Sequence, residues 1–353
     1  MRIQKSELAG KIGKVKGIVL KKTAQEAMQG VLIKGGFMIA SNFEVTAKLD
    51  LDCEGEDTFI IPAKAFDLIN SLPDGEVEIR GGANEVVIKA EKIRNKYATV
   101  DPCLFSMQEN KVSGEARRFT LKSEDFLRSI KKVSYAISDA NTNNTMNCLC
   151  LKAKGGKLNY ITLDGHMISW DKVDYEGDFE LLIPQTPVDR LLTIGLAGDL
   201  AITSDGNSAM FQSEGCEITS RIVNGSFFDV SRIVNMNMPI STVVDKKGML
   251  DSLIRAKMCS GTENVPVRLY FKNDEVSVRV AVAKADYEET LELAKPVDNE
   301  LKIGFNSKLL IDSLKSFDDD EVELNMENQK APLLMRGETD YIALVLPVMV
   351  KEA

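Results

Sequence analysis

Between Phe59 and Val100 the spacing of apolar and polar positions changes twice. A short apolar run ends at Pro62. Phe66, Ile69 and Leu72 then recur three apart, the spacing of one helix face, and Pro73-Asp74-Gly75 closes that helix. Strands are predicted over Glu76–Arg80, Glu85–Ala90 and from Ile93 to Val100. The first two are joined by Gly81-Gly82-Ala83-Asn84, residues that tolerate the positive φ of a tight hairpin.

The same succession returns from Leu181, with Val188, Leu191 and Leu192 as the helix face and Ser204-Asp205-Gly206-Asn207 as the turn. It returns again from Leu301. Pro62, Pro184 and Phe305 mark equivalent points, 122 and 121 residues apart. That period is too long for a solenoid repeat of about 20–50 residues and fits a domain. Three domains are expected, over residues 1–115, 116–234 and 235–353.

Each repeat also opens with a helix. The first, Lys5–Val19, lines up Leu8, Ile12, Val15 and Val19. The second, Ser123–Ile137, lines up Phe126, Ile130, Val133 and Ile137, with Ser123 as its expected cap and Glu124 and Asp125 in the first turn. The third, Lys247–Met258, turns Leu250, Leu253 and Ile254 inward. Three more strands follow each opening helix. They are Gly30–Lys34, Phe37–Ala40 and Phe43–Asp52; then Asn147–Lys152, Lys157–Leu163 and His166–Tyr175; then Pro266–Phe271, Glu275–Ala283 and Tyr287–Ala294. Gly35-Gly36, Gly155-Gly156 and Asn273-Asp274 are the turns between the first two strands of each set. The class is α+β: three repeats of two helices and antiparallel sheet. Residues 108–117 and Asn235–Thr242 read as linkers, and Asp139–Thr145 as a loop.

Composition narrows the chemistry. The 353 residues are 44% hydrophobic, without a run long enough to span a bilayer, and the charged N-terminus lacks an apolar signal core, so a cytoplasmic protein without a membrane partner is expected. Six scattered cysteines and a single histidine argue against a Cys/His zinc site, and neither a P-loop nor a dinucleotide fingerprint is present. No metal or cofactor is expected. The net charge of −9 argues against nucleic acid until its distribution is considered. Lys5–Lys22, Lys122–Ile137 and Lys246–Lys257 together hold fourteen Lys/Arg and four Asp/Glu, a balance of +10 that leaves −19 for the other 307 residues. Three equivalent basic helices sit inside an acidic protein.

Taken with the triplication, IPAKAFDLINSLPD, YAIS followed by TLDGH, SRIVNGSFFD, IGFNSKLLIDSLKSFDDDEVEL and the terminal LVLPV make the whole chain resemble the bacterial replicative sliding clamp, the beta subunit of DNA polymerase III. The resemblance implies a DNA clamp fold that closes into a ring as a head-to-tail homodimer, with helices lining the hole. It implies a processivity factor that encircles double-stranded DNA without reading sequence, has no catalytic residues, and is opened by a separate clamp loader. Lys11, Lys14, Arg128, Lys131, Lys132 and Arg255 are the expected DNA-facing cations, contacting phosphates rather than bases.

It also implies a cleft that docks short motifs of the polymerase catalytic subunit, the clamp loader and repair proteins. Its residues here are Met146, Leu163, Gly165, His166, Met167 and Ile168 of the second repeat. Phe228, Arg232 and Ile233 follow in the segment leading to the third, and Asn306, Leu309, Leu344, Val345, Leu346, Pro347 and Met349 complete it. Met167 and Met349 stand where the family often has arginine, and Phe228 where proline is usual, so a more apolar pocket with its own peptide consensus is expected. Residues 351–353 run past the family's usual end. At the dimer contact the matching positions are Tyr97 and Thr99 on one side, Met258 and Cys259 on the other, and the polar Thr99 and Cys259 predict a weaker dimer. An enzyme built on Asp164 and His166 is the competing class, but no nucleophile or second carboxylate accompanies them. A clamp-derived paralogue that binds partners as a decoy or resistance factor is the alternative within the family.

Overall fold

The computed structural model describes residues 1–106, 116–138, 144–261, 266–282 and 285–349. Most of the expected linker at 108–117, most of the loop at 139–145, and residues 351–353 lie outside them. Chain contacts divide the molecule into two compact units, Met1–Arg128 with Thr186–Asn224, and Ser129–Gln185 with Gly225–Ala353.

The first unit holds two antiparallel sheets. One has five strands in the order Cys53–Glu54, Arg2–Gln4, Glu76–Gly81, Glu85–Ala90, Ile93–Ala98. The other has eight: Arg117–Lys122, Asp199–Ser204, Ser208–Ser213, Cys216–Arg221, Val45–Asp50, Phe37–Ser41, Gly30–Lys34, Phe59–Pro62. In its middle the last strand of the second repeat pairs with the third strand of the first, Ile218 opposite Ala47. The second unit repeats that join. Its twelve-stranded sheet runs Phe179–Pro184, Cys148–Lys154, Lys157–Leu163, Met167–Asp174, Ile342–Val345, Leu333–Arg336, Glu321–Met326, Ile240–Asp245, Ala285–Lys295, Glu275–Val282, Pro266–Lys272, Leu301–Asn306. Here the last strand of the third repeat lies beside the third strand of the second, Ile168 opposite Leu344. Sheet hydrogen bonding therefore passes from repeat to repeat within each unit.

The helical stripes bury as their spacing predicts. Leu8, Ile12 and Val15 are buried along a helix that stops at Val15, four residues short of expectation, and Val19 is buried beyond it. Phe126, Ile130 and Val133 are buried on the Ser123–Val133 helix, and Ile137 follows a short 3-10 turn. Two helices are rotated from expectation. Met249, Ser252, Leu253 and Ala256 face inward on Lys246–Ser260, leaving Leu250 and Ile254 half-buried, and on Gln185–Ile194 Leu192 is half-buried while Pro187, Val188, Leu191 and Ile194 are buried.

Local chemistry corrects three further expectations. Ser123 is not a cap: the strand Arg117–Lys122 runs straight into the helix, the Ser123 N–H donates to the Gly198 carbonyl at 3.0 Å, and its hydroxyl is buried without a partner among the described residues. The preceding strands Arg2–Gln4, Arg117–Lys122 and Ile240–Asp245 each enter an opening helix this way, and the last takes in Ile240–Thr242 of an expected linker. Third, Gly81 is not a positive-φ turn residue. The Phe59 ring crosses its Cα so closely that a Cβ there would lie 2.0 Å from Cγ of the ring. Gly35-Gly36 and Gly155-Gly156 do supply the paired positive φ of tight hairpins.

The six cysteines are free thiols. Burial pushes Cys148 and Cys150 up to about 12 and Cys216 to about 11, so these thiols stay protonated at neutral pH. No helix among the described residues is long and apolar enough to cross a membrane.

Candidate functional site

The expected cleft residues lie in the second unit, and backbone hydrogen bonds bring most of them together. The turn Leu163–His166 is fixed by Asp164, whose Oδ1 accepts the N–H groups of His166 at 2.8 Å and Met167 at 2.9 Å, while Gly165 takes a φ of 87°. The strand leaving this turn carries Met167 opposite Val345 and Ile168 opposite Leu344. Beyond Val345 the chain leaves the sheet. The Leu346 N–H donates to the His166 carbonyl at 2.8 Å, and the Val348 N–H to the Gly304 carbonyl at 2.8 Å. Leu346–Met349 thus bridges the turn to the strand that ends at Asn306. Asn306 Oδ1 caps the next helix through the Lys308 N–H at 2.9 Å, and Leu309, in its first turn, is half-buried.

A second group adjoins Met146. Gly225 approaches Thr145 so closely that a Cβ would lie 2.9 Å from Thr145 Cγ2, which sets the segment carrying Phe228 against residues 145–146. The short helix Ser231–Val234 holds exposed Arg232 and half-buried Ile233, and is tied down where Arg336 Nη2 donates to the Val234 carbonyl at 3.0 Å. Of eight large apolar side chains left exposed among the described residues, Phe228, Leu346, Met349 and Met258 belong to the surfaces expected to receive another chain, and Ile93 lies on an edge strand.

Five of the expected cleft residues are buried instead of open to a partner: Leu163, Met167 and Ile168 as well as Leu344 and Val345. Leu344 is 1% exposed and Val345 fully buried, because both sit mid-sheet between Met167–Asp174 and Leu333–Arg336. Leu346, just past the strand, is 37% exposed and Met349 81%. The apolar surface is presented by the segment after the strand.

Asp164 spends its carboxylate on turn amides, and His166 is exposed at the rim. That geometry positions a loop and supplies no acid/base pair. Among the described residues no cluster of His, Cys, Asp or Glu could hold a metal ion.

The six expected DNA-facing cations are not equivalent. Lys14 and Lys131 are exposed and make no ion pair among the described residues. Lys11 pairs with Glu7 at 3.5 Å and Arg128 with Asp125 at 2.8 Å, both on their own helices. The Lys132 ammonium is mostly covered, 2.5 Å from Asp318 and 5.8 Å from the Tyr341 ring centroid. It borders a buried hydroxyl network in which Tyr135 donates to Ser313 at 3.1 Å and Tyr341 shares hydrogen bonds with Tyr135 at 3.1 Å and Ser169 at 2.9 Å.

Arg255 is the most committed. Its Nη2 donates to both Glu289 oxygens at 2.7 and 2.8 Å, and the Tyr287 hydroxyl bonds the same carboxylate. These hydrogen bonds hold the Glu289 carboxyl down to about 2. A depressed carboxyl adds stability above its ordinary value near 4.5 and loses it as pH falls through about 2. Acid titration of the melting temperature between pH 4.5 and 2 should therefore be shallower in Glu289→Gln than in the wild type, with the two curves parallel above pH 5.

Of the four residues expected at the dimer contact, Tyr97 and Thr99 lie at the end of the edge strand Ile93–Ala98 or just beyond it. Thr99 is tied inward, its hydroxyl donating to the Ile60 carbonyl at 3.1 Å. Met258 is 75% exposed beside a groove of about 510 Å³ lined by Ile254, Lys257, Ile311 and Lys315, and Cys259 is half-buried.

Known proteins resemble this chain over its full length. Residues 232–348 match the family described as DNA polymerase III beta subunit, C-terminal domain. A beta sliding clamp from Rickettsia bellii is 23% identical over 376 residues, covering 99% of each chain, and one from Pseudomonas aeruginosa is 22% identical over 98% of each. The solved DNA polymerase III beta subunit of Thermotoga maritima superposes with a TM-score of 0.88 at 19% identity over 99% of each chain. A Pseudomonas aeruginosa sliding clamp bound to griselimycin gives 0.89 at 21% over 99% of each.

Proposed function

We propose that the chain is a sliding clamp of the DNA polymerase III beta subunit family: a non-enzymatic processivity factor that closes around duplex DNA as a head-to-tail homodimer and tethers a polymerase through the cleft. The observation that carries the ring is the repeated sheet junction. Twice in the chain, the last strand of one repeat lies beside the third strand of another. The third strand of the third repeat, Ala285–Lys295, meets Ile240–Asp245 only at Leu293 and Lys295, so its earlier part is an open edge; the last strand of the first repeat, Ile93–Ala98, is the open edge of its sheet. Two copies satisfy both of these edges by using the same junction twice more, a head-to-tail pairing that closes on itself. Charge favours that pairing at Arg94 on one edge and Asp286 on the other, since Lys96, Glu288 and Glu289 are ion-paired within the chain.

In this ring residues 1–115, 116–234 and 235–353 act as three domains, the protein works in the cytoplasm, and the clamp loader and repair proteins share the cleft with the polymerase. Met349 supplies adaptable apolar surface there, while Met167 is buried in the sheet. Lys14 and Lys131 are the principal DNA contacts, since their charges are not spent on neighbours. Mass in solution together with retention on circular but not linear DNA tests the reading; a monomer that never retains circular DNA would overturn it. Stimulation of long-product synthesis by a cognate polymerase separates a replicative clamp from a partner-binding paralogue.

Lys131→Glu should shorten retention on nicked circular DNA several-fold at moderate salt, with an unchanged melting temperature. Each phosphate contact contributes about 0.9 to the slope of log affinity against log salt, and the ring carries two copies, so the slope should flatten by about 2. An unchanged slope would remove Lys131 from the DNA-facing set.

A further inference from the structure

We infer that Met349 is an oxidation site that regulates peptide docking: peroxide converts its thioether to a sulfoxide, and the cleft then loses affinity for apolar partners. This rests on the docking reading above and adds a control to it. Solvent access sets Met349 apart from most other methionines of the chain. Met28, Met38, Met326 and Met335 are fully buried, and Met167, the other methionine of the cleft's sheet, is 6% exposed. Among the described residues only Met236, Met258 and Met349 are exposed, at 43%, 75% and 81%. Met258 is covered in the proposed ring, and Met236 is not one of the expected cleft residues. Met349 is the exposed thioether that a docked peptide meets.

The backbone beneath it is held. Leu346 bonds the His166 carbonyl and Val348 the Gly304 carbonyl, both at 2.8 Å, so the strip stays in place whatever happens to the side chain that follows. Met349 also borders a groove of about 570 Å³, which leaves room for an added oxygen. In the reaction a sulfur lone pair attacks one oxygen of hydrogen peroxide. The S–O bond forms as the O–O bond breaks, and the departing hydroxide takes the remaining proton and leaves as water. Sulfur is oxidised by two electrons and the peroxide is reduced. The thioether packs against apolar side chains of varied shape. The sulfoxide is strongly polar, and covering it with a leucine or phenylalanine anchor strips its hydration without return. Leu346, 37% exposed on the same strip, has no such chemistry. A docked peptide covers the sulfur, so occupancy protects Met349 and oxidation opposes occupancy.

The test follows the anisotropy of a fluorescein-labelled, sulfur-free peptide with a central Leu-Ser-Leu-Phe on the full chain, before and after hydrogen peroxide. Dithiothreitol added after the peroxide returns reversible thiol products to thiols, and peptide mapping by mass spectrometry reports sulfoxide at each methionine. Wild type should form sulfoxide at Met349 well before Met167, keep its melting temperature, and lose about 10-fold in peptide affinity. Saturating peptide should slow oxidation at Met349 and leave the rate at Met236 unchanged. Methionine sulfoxide reductases of both epimer specificities should restore the affinity. Met349→Leu, compared only with itself, should bind equally before and after peroxide. Sulfoxide at Met349 with unchanged affinity would overturn the proposal, as would a wild type whose Met349 resists peroxide. An equal loss in Met349→Leu would assign the effect to another residue and overturn it too. A wild type that fails to bind the peptide before any peroxide is added would instead overturn the docking reading.

Discussion

Leu344→Glu should unfold the second compact unit, whereas Leu346→Glu, two residues on, should melt like the wild type and lose peptide docking. Leu344 stands between Ile168 and Leu334 in the twelve-stranded sheet, and all three are buried. The glutamate forfeits about 1.5–3 kcal/mol of leucine burial. It also places a carboxylate where neither strand neighbour can hydrogen-bond it, costing several kcal/mol more unless the group protonates. The sum is comparable to the ~5–15 kcal/mol that holds a typical domain together. Leu346 is already partly in water and leaves no comparable void. Its replacement should raise the dissociation constant of an apolar docking peptide about 100-fold and move the melting temperature by no more than about 2 °C. Calorimetry and anisotropy on the two variants decide the matter. A Leu344→Glu protein with a wild-type melting transition and no peptide binding would place Leu344 in the cleft instead.

That contrast shows where sequence reading reaches and where it stops. The three-part grammar and the buried faces of the first two opening helices follow from spacing alone, because a 3.6-residue period survives without knowledge of neighbours. Leu344 and Leu346 share an alternating register, and alternation puts both on one face. Only the point where Leu346 leaves the sheet to bond His166 separates core from surface, and that point depends on a partner 180 residues away. The entry strands were too short or too polar to register: Arg2–Gln4 offers one apolar residue. Which face of Lys246–Ser260 is buried depends on the strands it packs against, Glu275–Val282 and Ala285–Lys295, and those are distant in sequence. Charge counts locate the basic stretches along the chain. They do not reveal that Lys132 and Arg255 are matched by Asp318 and Glu289, acids 186 and 34 residues distant, so only a subset of the six cations lacks an ion-pair partner among the described residues. Likewise Gly81 looked like turn chemistry but answers to the Phe59 ring.

Met258→Arg should convert the ring to monomers without harming the fold. Met258 ends the exposed side of Lys246–Ser260 at 75% exposure, so the unliganded chain loses almost no buried contact when it changes. In the proposed dimer that side chain is covered, and the incoming guanidinium would be desolvated in a groove lined by Lys257, Lys308 and Lys315, whose one carboxylate, Asp312, is already held by Lys308 at 2.7 Å. The facing edge brings Arg94 and Lys96, so no carboxylate on that strand is available to receive the new charge. Removal of a central apolar contact together with an unpaired buried charge costs about 3 kcal/mol or more at an interface, over 100-fold in dissociation constant. With Thr99 bonded inward to Ile60 and Cys259 only half-buried, few other contacts compensate. Sedimentation at micromolar concentration should report a particle of 39.0 kDa for the variant and twice that for the wild type. Retention on circular DNA should disappear with the dimer, while peptide affinity stays unchanged. A variant that sediments as a dimer would show that the chains meet elsewhere, and the open edges at Ile93–Ala98 and Ala285–Lys295 would then need another occupant.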